Sequence, residues 1–160
     1  MYVLLAIVAL WFVYRLIKTK GGTVSDSKQA KKTRRAYDST YMWPKLDEYD
    51  FPVVGESHYQ SALARIAGHH GSNKVRQECI ANLVPEDTND FDDKAIAVVV
   101  EGSTVGYLGR EDARSFRRRL SQKSLAGQTT GCHAIVIGGG KLQNGDDRSY
   151  GIQLDLDCFD

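Results

Sequence analysis

Cysteine is scarce in this 160-residue chain. The three present, Cys79, Cys132 and Cys158, have spacings that match no CxxC, zinc ribbon or secreted disulfide framework. Each falls in a strand-like run, where a buried reduced thiol is the ordinary state. His69-His70 and Cys132-His133 are adjacent pairs, whose side chains diverge, so they chelate poorly and no metal is expected. Surplus charge is lacking too, with a formal net of +1. That figure conceals a division. Residues 1–50 carry nine Lys/Arg against five Asp/Glu, whereas residues 51–160 carry 12 against 15, a net of −3. The second part is therefore no generic polyanion binder. Any nucleic-acid contact there has to be local and geometric. The chain also lacks a GxxxxGK[ST] phosphate loop. Gly138-Gly139-Gly140 follows a strand pattern, but no helix follows it to supply an N-terminus. It reads as a strand end where the backbone bends or approaches something closely.

The charge that is missing from the first 14 residues defines the N-terminus. Met1–Ile17 is apolar up to Arg15, slightly short of the ~20 residues a span needs. Arg15 and Lys18 extend it by snorkelling, and Trp11 and Tyr14 stand at the interfacial end. A cleaved signal peptide is the rival reading. It needs basic residues before the run and small residues at a cleavage site; here the basic residues follow the run and no Ala-x-Ala is present. The expectation is an uncleaved single transmembrane helix over residues 1–19. The basic flank, Lys18 to Arg35, then places the C-terminal part on the cytoplasmic face. Residues 20–50 read as a basic, polar linker, disordered for most of its length. Its Lys31–Arg35 cluster either lies on anionic lipid or is a solvated run that only fixes topology. Tyr41, Met42, Trp43 and Pro44 form a small apolar patch able to dock on a domain edge.

From Phe51 the pattern becomes globular. Strands are expected at Phe51–Gly55, Val75–Leu83, Ala95–Val100, Val105–Leu108, Cys132–Ile137 and Tyr150–Leu156. Helices are expected at Tyr59–Ala67, stopped by Gly68, and at Arg110–Lys123. In the second helix Ala113, Phe116 and Leu120 form the buried stripe, and Arg110, Arg114, Arg117 and Arg118 lie on another face. Glu101-Gly102-Ser103-Thr104 is a hairpin turn. The fold class is mostly β with two inserted helices, a small barrel-like or α+β domain over residues 51–160.

The densest chemistry lies in Pro85–Val100, where carboxylates surround one aromatic, Phe91, and feed a strand of β-branched residues. Phe91 either caps the core or presents a ring to a ligand. Asp92 either caps its own turn or accepts a bond from a ligand. Asp87, Asp90, Asp92 and Asp93 suggest Mg²⁺-assisted phosphodiester cleavage as a further class. No Ser/His/Asp, metal-box or nucleotide-binding motif accompanies them, so catalysis and cofactors are not expected.

Three stretches together resemble a HIRAN domain. They are Phe51-Pro52-Val53-Val54-Gly55-Glu56-Ser57-His58-Tyr59-Gln60, then Pro85-Glu86 with Asn89, Phe91-Asp92 and Ala95-Ile96, then Val105-Gly106-Tyr107-Leu108 followed by Arg110 and Ala113. The likeness runs from about Phe51 to the C-terminus and leaves Met1–Asp50 uncovered. It implies a small OB-like β-barrel that binds single-stranded DNA at a free 3′ end. The family also occurs in SWI/SNF-type helicases, but no helicase motif is present here. By that resemblance, the terminal base stacks on Phe91 and Asp92 accepts a bond from the 3′-hydroxyl. Tyr107 stands where the helicase modules carry a polar ring, and Arg110 where they carry Lys. Arg110 is then the phosphate contact, assisted by Arg114 and Arg117. Ser57-His58, with Tyr59 beside it, stands where DNA-binding members carry a basic–aromatic pair. Asp90 and Phe91 replace the family's frequent Pro and Tyr.

The expected site is thus His58, Tyr59, Phe91, Asp92, Tyr107, Arg110 and Arg114, in a nucleic-acid-binding module held at the cytoplasmic face of a membrane. The alternative is a membrane-anchored protein-interaction or scaffold domain, favoured by the −3 charge of residues 51–160 and the departure at Ser57-His58.

Overall fold

The computed structural model describes residues 38–68 and 73–157. The expected transmembrane helix, the first part of the linker, His69-His70 and Cys158 lie outside the described residues. Among the described residues no helix is long and apolar enough to cross a membrane.

The protein is mostly β, with two short helices. Its strands are β1 (Tyr41–Met42), β2 (Phe51–Pro52), β3 (Val75–Pro85), β4 (Ile96–Val100), β5 (Ser103–Tyr107), β6 (Thr130–Gly138) and β7 (Tyr150–Leu154). A 3₁₀ turn at Glu56–Tyr59 leads directly into α1 (Gln60–Ala67), and α2 is Arg110–Gln122. They form one sheet ordered β2-β7-β6-β3-β4-β5, with β1 parallel to the start of β6. The eleven-residue β3 is the spine. Along Val75–Leu83 it pairs with β6, and from Asn82 to Pro85 it pairs with β4.

The sheet curls until its two edges meet. Val54, just past β2, exchanges backbone hydrogen bonds of 2.8 and 2.9 Å with Tyr107 at the end of β5. Gly106 permits this approach. A Cβ there would run into the Val53 side chain and come within 2.8 Å of the Val54 carbonyl oxygen. The β4–β5 hairpin turns on two residues, Glu101 and Gly102, both at positive φ. That is the backbone a type I′ turn requires, and its twist matches the strands it joins.

The core fills the concave side. β4 is buried at all five positions, so it reads as a continuous apolar run and not as an alternation. Leu63 and Ile66 of α1, and Ala113, Phe116 and Leu120 of α2, close onto Leu83, Ile96, Val98, Val136 and Leu154. The burial of Ala113, Phe116 and Leu120 agrees with the helical spacing of those residues.

Residues 38–50, read as linker from their composition, pack on this unit. Trp43 is buried against Phe116, with ring centroids 5.7 Å apart, and its Nε1–H donates to the Thr130 hydroxyl at 3.0 Å. The Arg119 guanidinium lies 4.9 Å above the same indole. The loop that follows is tied down by Asp155. Its carboxylate accepts the backbone N–H groups of Leu46, Asp47, Glu48 and Tyr49 at 2.8 to 3.4 Å. Two aromatics and one distant carboxylate hold this segment, so no hydrophobic period announces it.

Candidate functional site

The Pro85–Val100 loop is built around Asn89 and Arg117. The Asn89 side-chain oxygen accepts the N–H groups of Phe91 and Asp92, at 3.0 and 3.2 Å. Its amide nitrogen donates to Glu86 at 2.8 Å. This Asx-type arrangement turns the chain sharply and sets the next two side chains. Arg117 of α2 then clamps the loop from outside. Its guanidinium donates to the Asp87 carboxylate at 2.6 Å and to the carbonyls of Lys94 and Ala95 at 2.8 and 3.1 Å.

Held this way, Phe91 is 92% exposed. A core-capping role is therefore excluded, and the ring is an apolar face turned to solvent. Asp92 beside it is half-buried, and the two readings of its role meet in one carboxylate. Oδ1 caps the turn by accepting the Lys94 N–H at 2.9 Å. Oδ2 faces Arg110 Nε at 3.4 Å. A carboxylate offers about four acceptor positions, so Asp92 retains capacity for a further donor. Arg110 is well exposed, so the pair contributes little to stability. Its effect is to aim the guanidinium.

Phe91, Asp92 and Arg110 line a cleft of about 370 Å³ together with Val54, Tyr59 and Tyr107. The Tyr59 and Tyr107 rings stand 6.4 Å apart, tilted by 49°. Burial, followed by hydrogen bonds to Tyr59 and the Glu86 carboxylate, holds the Tyr107 phenol well above its usual pKa, so it stays protonated. The Val54–Tyr107 bridge places this wall at the seam where the sheet edges meet. Ala95, Leu108 and Ala113 complete the lining and leave it largely apolar between its polar tips.

Five of the seven residues expected from sequence, Tyr59, Phe91, Asp92, Tyr107 and Arg110, line this cleft. The other two do not. His58 is exposed on the 3₁₀ turn. Arg114 lies one helical turn beyond Arg110, where its Nη1 donates to the Arg110 carbonyl at 3.0 Å. Arg117, read from sequence as a further phosphate contact, has its guanidinium occupied by the loop. Sequence reasoning missed Asn89 and Val54 as site-builders. The sign of Asn89 was its position two and three residues before Phe91 and Asp92. Val54 gave no sign, because it reaches the cleft only through the closure with β5.

The acidic cluster does not converge. Asp87 pairs with Arg117, Asp92 with Arg110, and Asp93 with Lys94. Among the described residues no three His, Cys, Asp or Glu side chains are grouped to hold a metal. Cys79 and Cys132 are raised by burial, Cys79 to about 11, so both stay thiols at neutral pH.

The chain was compared with protein-family models, curated proteins and solved structures, and none matches.

Proposed function

We propose that the Phe91–Asp92 cleft receives the free 3′ end of a single nucleic-acid strand, and that the domain is a HIRAN-type, OB-like barrel serving as an end-binding module. The observation that carries this reading is the solvent-facing Phe91 ring directly beside a fixed carboxylate and an aimed guanidinium. A base has a π-face that stacks on such a ring whatever its sequence, worth about 1–3 kcal/mol. The terminal hydroxyl donates to Asp92, and the preceding phosphate is met by Arg110. A phosphate in place of the hydroxyl would bring negative charge against the carboxylate, which gives the site its preference for a free end. The charge-free N-terminal run and its basic flank support tethering of this module at the cytoplasmic face of a membrane.

The peptide-binding alternative rests on the apolar lining and on half-exposed Val54. Fluorescence anisotropy with matched strands ending in 3′-hydroxyl or 3′-phosphate separates the two. The end-binding reading expects tight binding of the hydroxyl form only, and loss of the preference in Asp92→Ala. Failure of both strands to bind removes it and leaves the peptide reading.

A further inference from the structure

We propose that the unpaired tract leading to the bound end runs along α2 into a second cleft, so that the protein reads a strand end together with the nucleotides before it. The inference rests on the end-binding reading and extends the same site.

The second cleft, of about 450 Å³, lies between the returning loop and α2. Its charged lining is Lys94, Arg114, Arg117 and Arg118, with no carboxylate, above an apolar floor that includes Leu120 and Ala126. Both clefts draw their lining from the Pro85–Val100 loop and from α2. Asp92 and Ala95 face Arg110 and Ala113 in the first. Lys94 faces Arg114 and Arg118 in the second. Arg110, Arg114 and Arg118 recur every four residues on α2, a rise of about 6 Å each. A row of guanidinium groups at that step suits successive phosphates of an extended strand, and the apolar floor suits a base or sugar face.

The acidic neighbours lie outside this lining. Glu111 is fully solvated and only 3.8 Å-paired to Arg114, and Asp93 meets Lys94 from the exposed side. Arg117 is neutralised by Asp87 and bonded to the loop carbonyls, so its role in the tract is to fix the wall, and the free charge comes from Lys94, Arg114 and Arg118. This row also supplies a basic flank that Ser57-His58 does not.

The test is the length dependence of binding by the full chain. A dinucleotide occupies the end cleft alone, whereas a strand of about eight nucleotides reaches the second cleft. For the wild type, affinity is expected to rise at least tenfold from the short to the long ligand. Each phosphate contact should also steepen the salt dependence by about 0.7 log units per tenfold salt. In the Lys94→Glu/Arg118→Glu variant, and more mildly in Lys94→Gln/Arg118→Gln, the gain with length should disappear while the melting temperature holds. A gain with length that survives both variants overturns the tract, as does its absence from the wild type. Failure of the end reading shows separately, as equal affinity for 3′-hydroxyl and 3′-phosphate strands. A length gain lost in the variants then still supports the tract.

Discussion

Asp155 keeps a negative charge fully out of water. Burial alone would raise its pKa, but four backbone N–H donors outweigh burial and hold the carboxyl below its usual range. A depressed folded-state pKa contributes stability that is fully present above the unfolded value of about 3.9 and is lost as pH falls through the folded one. Asp155→Ala should cost about 3 kcal/mol at neutral pH, because it strands buried donors. The wild-type advantage should shrink below pH 4, as followed by urea melts across pH. Phe91 is the opposite case. With its ring in solvent, Phe91→Ala should leave the melting temperature within a degree or two while weakening strand binding about tenfold or more. Calorimetry and anisotropy on one preparation check both halves.

At the scale of elements, the cleft depends on two junctions. The first is the sheet closure at Gly106. Gly106→Val places side-chain atoms against Val53 and the Val54 carbonyl. It should destabilise by about 2–4 kcal/mol and weaken binding more than its stability cost explains. Binding measured well below the melting point separates the two effects. The second is the Arg117 clamp. Arg117→Ala frees the Lys94 and Ala95 carbonyls and Asp87. Amide exchange should accelerate across residues 86–95 while β3 and β6 stay protected. These junctions also show what the sequence made legible. Helix α2 and its buried stripe follow from spacing, and the β4–β5 turn follows from Glu101-Gly102. The pairing of Val54 with Tyr107 joins positions more than fifty residues apart, and no local pattern encodes it. From sequence Arg117 reads as a further phosphate contact because its partners come from a distant loop.

Across the whole molecule, residues 38–50 carry two sequence signals, a polar linker composition and the Tyr41–Pro44 apolar patch, and it is the patch that docks. They are polar enough to read as linker, yet Trp43 and Tyr49 are buried and the Asp155 carboxylate accepts four backbone N–H groups of this segment. A fragment beginning at Phe51 leaves the Asp155 carboxylate and the Phe116 face uncovered. It should be less stable than a fragment beginning at Asp38 by about 3–5 kcal/mol, the range for losing a buried Trp. Thermal melts of the two fragments measure this directly. The surface charge has the same lesson. A net of −3 over residues 51–160 coexists with a cationic cleft on one helix, whose lining holds Lys94, Arg114, Arg117 and Arg118 and no carboxylate.

The central claim is that Phe91 receives a terminal base. It is tested most directly by placing 2-aminopurine at the 3′ end, the 5′ end or the middle of otherwise identical strands and reading its fluorescence on binding. End-stacking predicts quenching on binding that is strongest for the 3′-terminal probe and is abolished by Phe91→Ala. Quenching that is equal at all three positions, or that survives Phe91→Ala, would contradict it.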